Sequence, residues 1–510
     1  MKTLNVALTL AALLSLPMVA RAEGEPPKED PDRSSLAKDG HPLAGWHNGV
    51  AYLRDPHDNF RIYPQGRAHV DGYAYMGNGV GATALKPTIF LRRIRPEITG
   101  EILGTFVFSI AAEIGANAVD NANGTNETSA APPGTAPGAT TGRYAAGESV
   151  RISAQPTDVY IGGRFLDGLF NFQVGQFDAP FTMENRTSDK YIPFLERSYV
   201  ARVVGVPTNK ELGAMVWGEP KNKVIHYSLG LFDGDGQNRL NMDGRGDFMA
   251  RVFAHPLFFM KPKKAMGLQD TQVGLSVRYG SRDPKTVTYD YFPMNTQGGY
   301  SFWTGVYRGA NGWTHILPSG DQIGVATEAR IPFGKFDLTH ELVWIQNDTR
   351  EALEGYQATN TERYGQMSGF AQYAMLGFWV YGKRDINGMP GYENFTRVDF
   401  SKNDPADPPW AVQLLARWEM MSLNYKSASR AGTVDARNID GDIVAHGLGL
   451  GANVWFTKHI RTSLNYRVDL FPDAGPGLTN RAQAPNNRQG AQSGNAGELH
   501  ELSFRLAVAL

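Results

Sequence analysis

The sequence has no cysteine and, after its first residues, no apolar run long enough to cross a membrane as a helix. Without cysteine there is no disulfide, no thiol redox chemistry and no cysteine-ligated metal. A helical membrane protein needs further runs of roughly 20 apolar residues, so that class is excluded. The chain also lacks an excess of either charge, with 50 basic and 51 acidic residues. A global basic field that would recruit nucleic acid is therefore missing.

The N-terminus has the pattern of a secretory signal peptide. Lys2 precedes an apolar stretch over 4–16, which is followed by Pro17 and the small-residue site Ala20-Arg21-Ala22. The stretch is too short for a membrane anchor, so we predict that residues 1–22 are removed after Ala22 during export. Loss of Lys2 and Arg21 leaves 48 basic and 51 acidic residues, a formal charge of −3.

The mature chain is predicted to contain one large domain after a short lead-in. Residues 23–45 are charged and rich in proline, which predicts a disordered periplasmic lead-in. Residues 115–141 are polar and of low complexity, as in a long surface loop. No linker divides the remainder, so 46–510 is predicted to be a single outer-membrane β-barrel.

Apolar and polar residues alternate along most of this domain. The clearest stretches are 448–456 and 460–470, and the chain ends in another alternating stretch, 498–510. Further candidate strands lie at 66–76, 88–98, 101–114, 156–163, 169–177, 210–218, 223–232, 246–255, 273–279, 321–331, 335–347, 364–384 (a hairpin) and 412–420, which gives sixteen to eighteen strands.

Two all-β folds alternate in this way, a soluble β-sandwich and a transmembrane antiparallel β-barrel. A sandwich does not need so many strands with charged residues on one face. In a barrel the apolar face meets lipid and the charged face meets water, so arginines opposite an apolar face cost little. We therefore predict an all-β transmembrane barrel of about 16 strands.

Arginines recur on the predicted inner face of the strands. They are Arg251, Arg278, Arg417, Arg461, Arg467 and Arg505. Guanidinium groups along a pore would favour anions. The alternative is that they pair with acids such as Glu419 and Asp469 on the same faces. Arg92 and Arg93 pose a second alternative, because adjacent residues of a regular strand face opposite ways. Either one of them lies at an interface, or the strand is bent by a bulge.

Several short motifs resemble the phosphate-selective porin O and P family, and they occur in the same order. They are Gly66-Arg67 with Asp71-Gly72-Tyr73, Leu91-Arg92-Arg93, Val174-Gly175-Gln176 with Pro180-Phe181, Phe194-Leu195-Glu196-Arg197-Ser198, Gly230-Leu231-Phe232-Asp233-Gly234-Asp235-Gly236, and Ala250-Arg251-Val252 with Pro256. The resemblance extends over nearly all of the mature chain and is sharpest between residues 66 and 256.

The resemblance implies a sixteen-stranded barrel, usually a homotrimer, with the third extracellular loop folded inward as a constriction. Lumenal arginines and a lysine of this loop would then guide oxyanions. Carried over to this chain, the ion pathway includes Arg67, Arg92, Arg93, Asp158, Ser188, Lys190 and Arg197. The chain departs from the family by placing Asp189 beside Lys190, and an acid there would repel a phosphate dianion.

The sequence therefore predicts a passive, water-filled outer-membrane porin that prefers small anionic solutes and needs no cofactor or metal. A general porin for neutral or mixed nutrients is the alternative within the channel class. An outer-membrane barrel enzyme is the alternative from another class, but no His lies close in sequence to Ser188 to complete a nucleophile and base.

Overall fold

The computed structural model describes most of the chain between residues 36 and 510. The described ranges are 36–77, 87–115, 154–206, 209–220, 222–261, 266–287, 289–303, 305–309, 312–353, 361–382, 384, 390–392, 395–402, 410–429, 440–472 and 497–510. The predicted signal peptide, the first part of the lead-in (23–35) and nearly all of the polar loop 115–141 lie outside them.

Sixteen strands form the body of the protein. They are β1 (Phe60–Met76), β2 (Thr88–Ile102), β3 (Phe106–Glu113), β4 (Gln155–Phe165), β5 (Phe170–Asp178), β6 (Lys210–Gly218), β7 (Ile225–Phe232), β8 (Asp247–Ala254), β9 (Gln272–Arg282), β10 (Gly312–Phe333), β11 (Phe336–Leu353), β12 (Thr361–Tyr381), β13 (Ala411–Ser429), β14 (Gly441–Thr457), β15 (Ile460–Leu470) and β16 (Glu498–Ala509).

The strands form one closed antiparallel sheet. Each pairs with the next along the chain, and β16 pairs with β1, for example Arg505 opposite Asp71. Closure leaves no strand edge without hydrogen-bond partners, which a sheet in hydrocarbon requires. The predicted barrel is confirmed, with a strand count of sixteen.

The barrel wall exposes apolar side chains on its outer face and buries charged side chains on its inner face, which is the reverse of a soluble protein. On β16, Phe504 is 45% exposed, whereas Arg505 is fully buried. The outer face repeats this pattern with exposed leucines such as Leu450 and Leu464, while charged side chains are buried on the inner face. Such a wall is stable when its outer face contacts lipid, which excludes the soluble sandwich.

The two ends of the barrel differ in their connections and in their aromatic residues. Most connections at one end are tight, such as 103–105, 334–335 and 458–459, and we call it the short-turn end. Exposed aromatic side chains mark its outer rim; they are Phe60, Phe106, Phe170, Phe333, Phe336, Tyr381, Trp410 and Phe456. Aromatic side chains commonly form such a girdle at the membrane–water interface.

Each predicted strand lies mainly within a strand of the structure, but β10, β13 and β14 extend seven to nine residues beyond one predicted end, and one prediction is wrong. The stretch 364–384, predicted to be a hairpin, is the single strand β12, which pairs with β11 and β13 along almost its whole length. Gly369 lies within this strand at φ 142°. Its missing Cβ lets the carbonyl oxygen of Ser422 approach to 2.2 Å from where that atom would be.

The remaining elements are short. They are the strands Ala44–His47, Val50–Arg54, Met294–Asn295, Ser301–Trp303 and Val306–Gly309, the helices α1 (Met183–Arg186) and α2 (Tyr199–Arg202), and 3₁₀ turns at Leu166–Gly168 and Leu268–Asp270. Within the described ranges, no helix has the length and apolar character needed to cross a membrane.

The predicted lead-in 23–45 differs from the structure in its last ten residues. The first two short strands form a hairpin, and Arg54 of this hairpin binds Asp39 at 2.6 Å. Ala37 is buried. Residues 36–45 are therefore part of the folded domain, because pairing with the hairpin compensates for their low hydrophobicity.

Candidate functional site

The segment 179–206, which lies between β5 and β6 in the chain, contacts the inner face of strands that are far from β5 and β6 in the ring. Its backbone oxygens at Ile192 and Leu195 accept hydrogen bonds from Arg461 and Arg505. Farther along, the backbone N–H of Tyr199 donates to Glu419 at 2.8 Å. These contacts fix the backbone of the segment against charged side chains of β13, β15 and β16.

The segment leaves β5 through a strained backbone. Thr182 has φ 67° and ψ 151°, a conformation that costs a β-branched residue roughly 1–3 kcal/mol. Its hydroxyl accepts a hydrogen bond from the N–H of Asn185, and its own N–H donates to Ser276. These bonds hold the strained residue at the start of α1 and direct the segment toward the opposite wall.

A bulge in β2 brings both Arg92 and Arg93 to the inner face. Opposite β1, Arg93 pairs with His69, and Leu91 pairs with the next residue, Val70, so Arg92 is an extra residue. Such an insertion rotates the strand locally. Both guanidinium groups are buried and both contact Glu196, Arg92 at 3.0 Å and Arg93 at 3.5 Å. Of the two alternatives that the sequence left open, the structure has the bulge, and neither arginine lies at an interface.

Asp189 lies among four guanidinium groups. Its carboxylate is 2.8 Å from Arg93, 3.2 Å from Arg67, 3.5 Å from Arg197 and 3.6 Å from Arg95. Burial alone would raise the pKa of Asp189, but the four positive charges outweigh burial and hold that pKa well below its usual range. The acid that departs from the family pattern is thus ionised and compensated.

Ser188 and Lys190 lie beside Asp189. The Ser188 hydroxyl accepts a hydrogen bond from Arg67 at 3.3 Å. The Lys190 ammonium group donates to the backbone oxygen of Leu510 at 3.0 Å and lies 3.8 Å from Glu97. Burial, with the nearby charge of Arg67, lowers the pKa of Lys190 to about 8. Lys190 therefore changes charge in a range accessible to experiment.

Of the seven predicted site residues, six meet in this cluster and one does not. Arg67, Arg92, Arg93, Ser188, Lys190 and Arg197 surround Asp189 and Glu196. Asp158 instead pairs with Lys210 at 2.7 Å, and the same lysine binds Asp178 at 2.8 Å. Asp158 thus helps to hold β4, β5 and β6 together.

Sequence reasoning missed several members of the cluster. Arg95 and Glu97 follow Arg93 at intervals of two, so strand alternation could have placed them on the same face. Glu196 was visible only as part of a family-like motif, and nothing in the sequence pairs Asp71 with Arg505. We call the connected group the Asp189 cluster; it contains Arg67, Arg92, Arg93, Arg95, Lys190, Arg197, Arg505, Asp71, Glu97, Glu113, Asp189 and Glu196.

The Asp189 cluster carries a surplus of positive charge. Counted over the described residues, its ion pairs join seven basic side chains to five acidic ones, an excess of two. Among the described residues, the Nε of Arg67 and the Nη1 of Arg93 are buried without a hydrogen-bond acceptor. Buried N–H groups normally have acceptors, so these two donors have unused hydrogen-bonding capacity.

Most other inner-face arginines are compensated by acids. Arg251 binds Glu328 at 2.8 Å and Arg278 binds Asp247 at 2.7 Å. Arg417 contacts Glu419 at 2.7 Å, and Arg467 contacts Asp469 at 2.7 Å. Arg461 donates to a backbone oxygen and lies over the Trp455 ring. For Arg251, Arg278, Arg417 and Arg467 the pairing alternative describes the structure, whereas Arg461 has no ion pair with an acid among the described residues.

A closed sixteen-stranded barrel with an apolar outer face and a charged inner face defines the class of transmembrane β-barrel channels. Within that class, the family model for "Phosphate-selective porin O and P" matches residues 66–468. The chain belongs to this family. It is an outer-membrane porin, and both family and fold favour a channel over an enzyme.

Solved structures with a similar fold are distant in sequence. An OmpT of Vibrio cholerae, described as an outer membrane protein, is 9% identical with a TM-score of 0.46, covering 89% of this chain and 98% of its own. The anion-selective porin of Comamonas acidovorans is 12% identical with a TM-score of 0.41, covering 88% and 100%. The outer membrane channel DcaP of Acinetobacter baumannii is 6% identical with a TM-score of 0.43, covering 89% and 98%. No curated protein matches the sequence.

Proposed function

We propose that the porin is a passive channel that prefers anions and admits small oxyanions, including phosphate. In this proposal the segment 179–206 narrows the lumen, and permeating anions pass along the Asp189 cluster. The main support for anion preference is the positive surplus of that cluster among the described residues, together with the N–H groups of Arg67 and Arg93 that have no hydrogen-bond acceptor. Guanidinium groups replace the hydration of an oxyanion with charge-assisted hydrogen bonds, which lowers the barrier to its passage.

A general porin for neutral or mixed nutrients is the second candidate. It is favoured by the ion pairs of Arg251, Arg278, Arg417 and Arg467, which leave little uncompensated charge on much of the inner face. The predicted mature charge of −3 points the same way. The two candidates differ in one measurable property, the ratio of anion to cation permeability.

Recording in planar bilayers under a KCl gradient should give stepwise conductance with a reversal potential on the anion side. Phosphate should reduce the chloride current. Arg93→Gln should raise the half-blocking phosphate concentration about tenfold, the loss expected for one charge-assisted hydrogen bond. Arg245→Gln, which changes an exposed arginine outside the cluster, is the control and should leave the block unchanged. Cation preference in the unmodified protein would rule out the anion-channel proposal.

The anion preference should also decrease with rising pH because Lys190 loses its proton near pH 8. Since the pKa of Lys190 is lowered, the ammonium is charged below about pH 8 and neutral above it. Reversal potentials measured from about pH 6.5 to about pH 9.5 should follow this titration. Lys190→Arg stays charged over this pH range, so its anion preference should stay high and independent of pH. Lys190→Met is uncharged, so its anion preference should be lower and also independent of pH. If the anion preference still falls with pH in both variants, another group is responsible.

We also propose that the porin assembles as a homotrimer. The strands β5 to β8 have only 8–9 residues, whereas β10 to β13 have 18–22. A tilted strand needs about 9–11 residues to cross the hydrocarbon, so the short wall is poorly matched to lipid. Covering it with another copy of the chain would remove this mismatch.

Light scattering of the detergent-solubilised protein should therefore give three times the chain mass. Leu231→Arg on the outer face of β7 should dissociate the trimer, because it places a charge in the apolar interface. Leu450→Arg is the matched control, since Leu450 is similarly exposed on β14, a strand of 17 residues outside the short wall. A monomeric unmodified protein, or equal dissociation by both substitutions, would contradict the proposed interface.

A further inference from the structure

A second connection crosses the barrel at the short-turn end. Residues 390–392 and 395–402 are its main described part, and they belong to the link between β12 and β13. On one side, Thr396 accepts a hydrogen bond from Gln65 at 3.0 Å, and the backbone oxygen of Val398 accepts one from Arg61 at 2.8 Å. Both partners are on β1. This side of the connection is thus fixed to the barrel seam.

The other side of the connection is fixed seven strands away. The Tyr392 hydroxyl lies 2.7 Å from the Nε2 of His255, which follows β8, and the backbone oxygen of Gly391 accepts a hydrogen bond from Arg251. Phe395 packs against Trp217 of β6 with ring centroids 5.2 Å apart. In a ring of sixteen strands, β1 and β8 lie nearly opposite each other, so the connection spans the opening.

A cavity of about 890 Å³ remains beside this connection. Its walls come from the connection, the N-terminal region around Asp39, the turn after β4 and the end of β6. This volume is within the range of small-molecule binding sites. Trp217, Phe395 and Phe400 contribute aromatic surface, and the charged side chains of the lining are five basic and four acidic ones.

Four of those five basic side chains have acidic partners, and one does not. Arg61 and Arg397 contact Glu101 at 3.0 and 3.5 Å. Lys223 and Lys402 contact Glu219 and Asp399. By contrast, the guanidinium group of Arg164 makes no hydrogen bond or ion pair with any described residue, although it is half-buried.

The surroundings of Arg164 make this lack of a partner unfavourable. The positive charge of Arg397 acts on Arg164, and the nearby carboxylate of Glu101 is already shared by Arg61 and Arg397. Two guanidinium groups that repel each other in a partly enclosed cavity are stabilised by an anion between them. The aromatic surface beside them suits a ligand that also has an apolar part.

We propose that this cavity is a second anion-binding site, specific for small organic carboxylates with an apolar body. Arg164 and Arg397 hold the carboxylate, and Trp217 and Phe395 contact the apolar part. The cavity lies on the short-turn side of the Asp189 cluster, where anions that have passed the cluster would arrive. The proposal therefore rests on the proposed anion-channel function and adds a second site to it.

Isothermal titration of the detergent-solubilised porin with benzoate tests the site directly. Benzoate should bind more tightly than acetate, and Arg164→Gln should weaken benzoate binding about tenfold. Since Arg164 has no acidic partner among the described residues, this change leaves none of their carboxylates uncompensated. Arg164→Glu places a carboxylate beside Arg397 and should abolish binding. Lys335→Gln removes an exposed positive charge at the same end of the barrel, away from the cavity, and should leave binding unchanged.

The outcomes separate this site from the proposed function. If the porin conducts with anion preference but benzoate binding is absent, or is equal in Arg164→Gln and the unmodified protein, the site is overturned and the channel function stands. If benzoate binds with the expected dependence on Arg164 but the channel prefers cations, the anion-channel function fails instead. Equal affinity for acetate and benzoate would remove the role of Trp217 and Phe395.

Discussion

Replacing Arg505 by methionine should lower the free energy of unfolding of the barrel by about 3–5 kcal/mol. Arg505 and Asp71 are fully buried and form two hydrogen bonds of 2.7 and 2.6 Å across the seam where β16 closes on β1. The substitution leaves the Asp71 carboxylate buried without its main partner. It also removes the donor to the Leu195 backbone oxygen, which attaches the segment 179–206 to this seam. Reversible unfolding in urea with detergent micelles measures the loss.

Two further variants test whether the uncompensated Asp71 carboxylate causes this loss of stability. Arg505→Met combined with Asp71→Leu removes the uncompensated carboxylate, so it should recover part of the lost stability. Arg245→Met, which changes an exposed arginine at the mouth, should alter stability by about 0.5 kcal/mol or less. A double variant no more stable than Arg505→Met would show that the buried carboxylate is not the cause.

Replacing Asp189 by asparagine should strengthen phosphate block about tenfold while destabilising the segment 179–206. The change removes the acid that four guanidinium groups share, which raises the surplus of the Asp189 cluster from two positive charges to three. These guanidinium groups should then bind a phosphate dianion more tightly, because no carboxylate competes for them and phosphate oxygens accept the same guanidinium hydrogen bonds as a carboxylate. The half-blocking phosphate concentration in planar bilayers measures the effect.

Asp189→Glu is the matched control because it keeps the charge, and its phosphate block should stay near that of the unmodified protein. The destabilisation should appear as faster proteolysis within 179–206 of Asp189→Asn and should be reversed by added phosphate. If Asp189→Asn leaves phosphate block unchanged, permeating anions do not reach the four arginines, and the proposed pathway along the cluster is wrong.

The two proposed anion sites lie at different depths of the same lumen. The Asp189 cluster is formed by the segment 179–206 and the bulged strand β2, whereas the cavity beside Arg164 is formed by residues 395–402 at the short-turn end. An anion that leaves the first would meet the second before it leaves the barrel. Weak sites in series allow selective yet rapid passage, since each one lowers a barrier without trapping the solute.

Several details of the site could be predicted from the sequence, and others could not. Strand alternation placed Arg417 and Arg505 on the inner face, and the Arg92-Arg93 pair required either a bulge or an interfacial position. The choice between these depended on Glu196, which contacts both arginines although it lies about a hundred residues away. The role of Asp189 was likewise hidden, because an acid beside a lysine looks repulsive to phosphate until its four arginine partners are in place.

The amino-acid sequence by itself determined the closed barrel, because a period of two with one apolar and one charged face leaves a sheet no stable arrangement in a membrane except closure. It also determined the faces of the strands and most of their boundaries. Only the tertiary structure decided which lumenal charges compensate each other, and which arginines, such as Arg164, keep no acidic partner among the described residues. The reason is physical: alternation is a property of neighbours along the chain, whereas charge pairing depends on residues far apart in sequence that the closure of the barrel and the segment 179–206 bring within a few ångströms.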